Sequence, residues 1–408
     1  MGPFFFNYTN PLFTLAGRAS GGRAGGRLPL PAFSRLWKVL IFASCYCLLW
    51  LLLLTYATWR LATRRGTPAP VVPPTPWPRV SILIAARDEE AALPRCLASV
   101  RALAYPPHLL QVLVGDDAST DRTRAVAEAA MQGFAGDFQV IPITENLGQA
   151  RGKANVLAHL ARLATADYLL ITDADIALPP TWVAGLLAHA APGVGTVTGL
   201  TVVAGPSWLA RLQGLDWLLA LALIQVGTEA GQPLTAMGNN MLVTRAAYRA
   251  TGGYEALPFS VTEDFALFEA VNARGFGYRQ LFGPAVRAVS LPAGSWAALV
   301  RQRRRWLRGV AALPAHVRAG LVFYGGYWLA VLGLALAGRP GLALAAMALR
   351  VAAHYALALA ASRRAGQAAP AAWLLPAFEL YSLVLLISLF SKKLVGEQGI
   401  IWKGRHFD

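Results

Sequence analysis

The stretch ADYLLITDADIALPPTW, residues 166–182, sets two carboxylates, Asp173 and Asp175, at the end of an apolar run with one small residue between them. Tyr168 to Thr172 reads as a strand buried on both faces. Residues two apart on an extended chain share a face, with Cα atoms about 7 Å apart. Two anions on one face repel by about 3 kcal/mol at 5 Å if the effective dielectric is near 20. A cation or water has to answer that charge, and hard divalent ions such as Mg²⁺ or Mn²⁺ favour carboxylate and phosphate oxygens. Three more polar clusters each follow an apolar run: ARDEE (86–90), GDDASTDRT (115–123) and ENLGQARGKAN (145–155). Asp116 and Asp117 can accept hydrogen bonds from a base or a ribose. Lys153, behind a glycine-rich turn, can reach a phosphate. A nucleotide diphosphate uses all three kinds of group. Asp121, in STDRT, suits a helix cap.

The runs that carry these clusters are RVSILIAAR (79–87), LLQVLVG (109–115), DFQVIPIT (137–144) and YLLIT (168–172). Each precedes a helical stretch, which predicts right-handed crossovers and a parallel sheet. Ligands of such sheets bind beyond the carboxyl ends of the strands, where all four clusters fall. Neither GxxxxGK[ST] nor GxGxxG follows the first strand, so a P-loop ATPase and a dinucleotide fingerprint are not indicated. MGNNML (237–242) is a loop of small and amide residues able to line a pocket. His108, His159 and His189 lack metal-ligand spacing.

The setting is a membrane. Of the 408 residues 56% are hydrophobic and only 14% charged. Val39 to Trp59 is long enough to cross a bilayer, and Ala319 to Gly338 is a second clean candidate. Gly341 to Ser362 is interrupted by Arg350 and His354, and Ala365 to Ser391 by Glu379, charges that weigh against insertion. The first span lies too far along the chain for an ordinary signal peptide and reads as an anchor. SWLARLQGLDWLLALALIQ (207–225) reads as an interfacial or domain helix. The net charge of +16 divides into +9 over residues 1–79, −4 over 80–300 and +11 over 301–408. The excess flanks the apolar spans, the pattern of arginines facing lipid, which argues against a nucleic-acid partner. Three cysteines make neither a disulfide framework nor a zinc site.

The expected organisation is an irregular segment at 1–36, an anchor at 37–59 and a linker at 60–78 that contains TPAPVVPPTPWP. An α/β domain follows at 79–310, then a membrane region at 311–408 with two or three spans.

An ordered set, ILIAARDEE, VGDDASTDRT, GKANVL, DAD, TEDFAL and QRRRW, resembles the membrane-bound glycosyltransferases of family 2 over residues 79–310. The resemblance implies an α/β, Rossmann-like GT-A domain in the cytoplasm with flanking transmembrane helices. It implies nucleotide contacts at Ala85, Arg87, Glu89, Asp117 and Lys153, beside Asp116. The metal falls to Asp175, with Asp173 nearer the nucleotide sugar. Asp264 would be the general base next to Glu263, and Gln302, Arg305 and Trp306 would lie by the acceptor and diphosphate. Asp88 stands where the family often has Asn. TEDF also reads as a helix N-terminus, with Thr262 as cap and acids favoured by the dipole.

The implied activity is metal-dependent (Mg²⁺ or Mn²⁺) inverting transfer of a hexose from a nucleotide-diphosphate sugar, a UDP-sugar by expectation, at the inner cell membrane. QRRRW occurs in members that glycosylate a lipid such as ceramide and in members that extend a polysaccharide. The few spans and the aromatics and cations of IIWKGRHFD (400–408) favour a membrane-embedded lipid acceptor. The alternative is a processive polysaccharide synthase with a glycan acceptor, and a non-catalytic membrane protein retaining the fold is the third reading.

Overall fold

A computed structural model describes residues 30–63, 75–232, 234, 236–260, 262–310, 313–390, 400–402 and 405–407. Residues 1–29, most of the proline-rich connector and Lys392 and Lys393 lie outside the described residues. So do the side chains of 400–408, apart from a short hairpin of backbone there.

In chain order the elements begin with helix α1 (Leu30–Thr63), β1 (Val80–Ala86), α2 (Leu93–Arg101), β2 (Leu110–Asp116), α3 (Thr123–Ala130), β3 (Asp137–Pro142), α4 (Gly152–Leu163) and β4 (Tyr168–Asp173). The middle holds β5 (Ile176–Ala177), α5 (Trp182–Leu187), β6 (Val194–Thr198), β7 (Thr201–Val203), α6 (Trp208–Glu229), β8 (Asn240–Thr244), α7 (Arg245–Ala250), α8 (Glu263–Ala273), β9 (Gly277–Gln280) and β10 (Ala288–Ser290). The last helices are α9 (Trp296–Val310), α10 (Ala315–Gly325), α11 (Tyr327–Leu336), α12 (Pro340–Ala365) and α13 (Leu374–Phe390).

The four expected strands form and are parallel, in the order β3-β2-β1-β4. Their near-continuous Val, Ile and Leu content is what a strand covered on both faces needs. β1 is inaccessible along almost its whole length, packed against α2 on one side and α4 on the other. Beyond β4 the sheet departs from the all-parallel expectation. β8 joins β4 antiparallel, β6 joins β8 antiparallel, and β9 closes the edge parallel to β6. The antiparallel β8 returns the chain to the DAD end of β4, so its preceding loop, residues 237–239, enters the same mouth.

The second core joins α6 to α1, α11, α12 and α13 around Trp50, Tyr327, Leu357 and Leu375. Among the described residues four helical stretches are long and apolar enough to cross a membrane: Leu36–Thr63, Trp208–Glu229, Ala315–Leu336 and Pro340–Ala365, while Leu374–Phe390 is shorter. α1 starts inside the segment expected to be irregular and runs past Trp59. Of the four stretches, α6 has much of its surface covered by the rest of the protein, as an apolar helix shared with the α/β domain requires.

The charges that interrupt α12 and α13 answer one another. Arg350 Nε donates to Glu379 Oε2 at 2.7 Å, His354 shares a hydrogen bond with the other Glu379 oxygen, and Tyr324 meets His354 Nε2 at 2.7 Å. The Arg350 guanidinium lies 4.7 Å from the Trp50 ring centre and 4.9 Å from that of Tyr327. Paired charges stacked on aromatic faces sit in an apolar interior at far lower cost than isolated ones.

Candidate active site

The site is built where β1, β2 and β4 end. Ala85 pairs in register with Gly115 on one side and Asp173 on the other. The turns after β1 and β2 are laced together. Arg87 Nη1 donates to the Asp117 carbonyl at 2.6 Å and lies 3.6 Å from its carboxylate, so the buried Asp117 has its charge matched. Asp88 Oδ1 accepts from Thr120 N at 2.7 Å, and Glu89 N donates to Thr123 Oγ1 at 2.7 Å. Asp88 (φ 50°) and Ala118 (φ 51°) adopt left-handed backbone that few side-chain-bearing residues take, Asp more readily than Ala. The Asp116 carboxylate accepts from Ser119 N, closing the second turn. Asp121 accepts from Thr123 N and Oγ1 from the position before the N-cap Arg122, so it closes the turn into α3 and is not that helix's side-chain cap.

Lys153, on the first turn of α4, reaches across the mouth. Its ammonium lies 2.6 Å from Asp173 and 2.9 Å from Glu263. Burial alone would lower the Lys153 pKa, but the carboxylates of Asp173, Glu263 and Asp264 outweigh it and hold the pKa above its ordinary value. These two ion pairs make Lys153 a link between the DAD and TED motifs. Asp264 is fixed by other means. Its Oδ2 accepts from Gly238 N at 2.8 Å and its Oδ1 from Phe265 N at 2.8 Å. A Cβ on residue 238 would stand 2.6 Å from the Asp264 Cβ, so that close approach requires glycine. Burial and the neighbouring Glu263 push the Asp264 carboxyl up to about 6, against the pull of Lys153. Thr262 makes no side-chain cap of α8, so the capping reading of that residue does not hold.

Asp175 is also raised to about 6, by burial first and then by Asp173 and Glu89. Ser290 Oγ donates to its Oδ2 at 3.4 Å, and Arg95 donates to its carbonyl at 3.0 Å. Among the described residues no three His, Cys, Asp or Glu side chains group as a metal cage. Two half-buried carboxylates one residue apart still suit an octahedral ion that keeps waters and takes its remaining oxygens from a diphosphate. The donor set therefore fits Mg²⁺ or Mn²⁺ bound together with a nucleotide.

QRRRW lies on α9, whose end meets the TED segment: a Cβ at Gly309 would come within 2.7 Å of Thr262. Trp306 packs on Trp217 with ring centres 4.9 Å apart. The arginine held there is Arg303, 2.5 Å from Asp216 and 4.4 Å from the Trp306 ring centre. Arg304 Nη2 donates to the Ser388 carbonyl at 2.8 Å. Gln302 and Arg305 share the helix, with both side chains half-buried. Arg95 and Ser290 belong to none of the motifs, Arg303 is one of three arginines that QRRRW does not tell apart, and Asp216 is legible only as a charge inside an apolar helix. His159 and His189 meet nearby backbone carbonyls, at 3.0 Å each.

A parallel sheet that turns antiparallel after its DAD strand, with acids from β1, β2, β4 and α8 at one mouth and apolar helices beside it, has the form of a membrane-associated GT-A glycosyltransferase. The chain belongs to glycosyl transferase family 21, whose profile matches residues 43–408. That family number differs from the family 2 suggested by the motifs; glycosyltransferase character and the GT-A-like fold are what the two have in common. The fold is similar to that of a mannosyltransferase from Pyrobaculum calidifontis in complex with GDP-Man and Mn²⁺, with TM-score 0.57, 22% identity, 89% of this chain and 100% of that one covered. A beta-monoglucosyldiacylglycerol synthase of Synechocystis sp. is 26% identical over 237 residues, 57% of this chain and 48% of that protein. A poly-beta-1,6-N-acetyl-D-glucosamine synthase of Staphylococcus epidermidis is 25% identical over 236 residues, 56% of this chain and 54% of that protein. The chain spans about half the length of the curated relatives it matches.

Proposed function

We propose that this protein transfers one sugar, with inversion, from a nucleotide-diphosphate sugar to a hydroxyl of a membrane-embedded lipid. The observation that carries the reading is Asp264: a carboxylate fixed by two backbone N–H groups, pushed up to about 6, beside the clasp joining TED to DAD. A base raised that far still ionises at neutral pH and is stronger than a free aspartate. Asp264 takes the proton as the acceptor oxygen forms its bond to the sugar and the bond to the diphosphate breaks. Glu263 and Lys153 hold the α8 end against Asp173. Ala85, Arg87, Glu89, Asp116 and Asp117 frame the nucleotide, and Gln302, Arg305 and Trp306 bound the acceptor side. Asp173 and Asp175 would hold the divalent ion. The chemistry such an ion supplies when bound is stabilisation of charge on the departing diphosphate.

The lipid acceptor is favoured by the way the helical bundle is filled. Trp50, Tyr327 and Phe378 pack around Arg350, Glu379 and His354, where a synthase exporting its own polymer needs a water-lined path. The similarity to a diacylglycerol glucosyltransferase fits, and the similarity to a poly-N-acetylglucosamine synthase keeps the polysaccharide reading in view. We place the catalytic domain in the cytoplasm, since Arg60, Arg64, Arg65 and the arginines of 301–318 flank the spans on its side. Purified protein in lipid, given labelled nucleotide sugar and Mn²⁺, should yield an organic-soluble monoglycosylated lipid. A water-soluble polymer would overturn the acceptor. Protease treatment of intact cells that removed the α/β domain would overturn the orientation.

A further inference from the structure

A cavity of about 290 Å³ lies where the α/β domain meets the bundle, between β7, the first turns of α6 and the α12–α13 turn. That is near the lower end of the range for small-molecule sites. Its floor is shaped by Ala204, Gly205, Ala210 and Gly214. A Cβ at Gly214 would stand 2.6 Å from the Val203 carbonyl, so α6 and β7 approach that closely only with glycine there. Across from the floor is Ser362, fully inaccessible to solvent, whose hydroxyl has no hydrogen-bond partner. At the rim, the rings of Trp208 and Trp373 stack at 5.2 Å and 10°, and both remain about half exposed. Paired tryptophans of this kind belong at the level of lipid headgroups.

The floor leads to the chemistry at both of its ends. Val203 of β7 pairs with Ser290, and Ser290 Oγ meets Asp175. Thr201 Oγ1 donates to Asn239 Oδ1 at 3.0 Å, and the residue before Asn239 holds Asp264 through Gly238 N. A molecule lying along β7 is therefore one strand from the carboxylate assigned to the metal and one residue from the loop fixing the base.

We infer that this cavity seats the hydrocarbon chain of the lipid acceptor. The inference rests on the lipid-acceptor reading and adds the place where the lipid is held. The turn between α12 and α13 forms its outer wall beside the exposed Trp208 and Trp373, so a chain enters there while its hydroxyl head follows β7 to the mouth.

The test uses the full chain in phosphatidylcholine nanodiscs with a diacylglycerol carrying a diazirine halfway along one acyl chain. Photolabel should appear on peptides covering 202–218 and 362–374. Ala371→Trp, on the exposed wall of the cavity, should lower that label about tenfold, the effect of losing roughly two methylenes of buried contact. Ala371→Ser should retain it, which separates filling of the cavity from damage to the fold. Nucleotide diphosphate affinity should be the same in both variants. Label confined to other peptides, or label that Ala371→Trp leaves intact, overturns the inference. Label in the cavity without any glycolipid product upholds the seat and sinks the lipid-acceptor reading instead.

Discussion

Two clusters of enclosed ionisable groups can be compared in this molecule. In the bundle, Glu379 meets Arg350 and His354, and the ring faces of Trp50 and Tyr327 close over the arginine. Positive and negative charge nearly cancel, and Arg350, His354 and Glu379 are each at most 2% exposed. At the sheet mouth, Lys153 faces the carboxylates of Asp173 and Glu263 with Asp264 close by, Asp175 lies against Asp173 and Glu89, and the cluster is open enough to leave Asp173 a third exposed. A balanced closed cluster holds helices together, whereas an acid-rich open one stores repulsion that a cation or a proton relieves. That difference suits one to fastening helices and the other to the chemistry proposed for it.

The comparison breaks most sharply at Asp175. Asp175→Ala should abolish Mn²⁺-supported transfer and weaken nucleotide binding in Mn²⁺, with the protein still folded in the membrane. Calorimetry of nucleotide binding with and without Mn²⁺ gives a readout besides turnover, and full transfer in EDTA would refute the assignment. Next in size is Asp264→Asn, which keeps the shape but cannot take the proton. Transfer should fall by about 10²–10⁴, typical of losing a general base. If nucleotide-sugar affinity dropped as far as the rate, Asp264 would be a binding residue.

Glu379→Leu tests the other cluster. It strands a buried arginine and should destabilise the bundle by about 3–5 kcal/mol. The double change Arg350→Met with Glu379→Leu should recover most of that, read as thermal unfolding in detergent. A double variant as unstable as the single one would mean the pair does more than fasten α12 to α13.

The smallest effect is a pH limb. Asp264 keeps its proton up to about pH 6, because its pKa is raised, and works as a base only above that value. kcat/KM should therefore fall about tenfold per unit below pH 6. The residual rate of Asp264→Asn should lose this limb. A limb that persists in the variant belongs to another group.

Much of this protein can be read along the chain. The four parallel strands, the acids at their carboxyl ends and the flanking apolar helices follow from period, composition and turn chemistry, which are local properties. Tertiary structure decided how charges far apart in sequence meet. Lys153 faces Asp173 and Glu263 because α4 and α8 converge on the end of β4, and no spacing rule encodes that convergence. Arg303, not its neighbours in a run of arginines, meets Asp216 87 residues away because its position on α9, with Trp306 one turn on, faces α6. Arg350 and Glu379 counted separately against two spans, and in the bundle they cancel. Sequence determines what a residue offers within its own element, but the free energy of a charge depends on what lies within a few ångströms of it, and the packing of elements sets that.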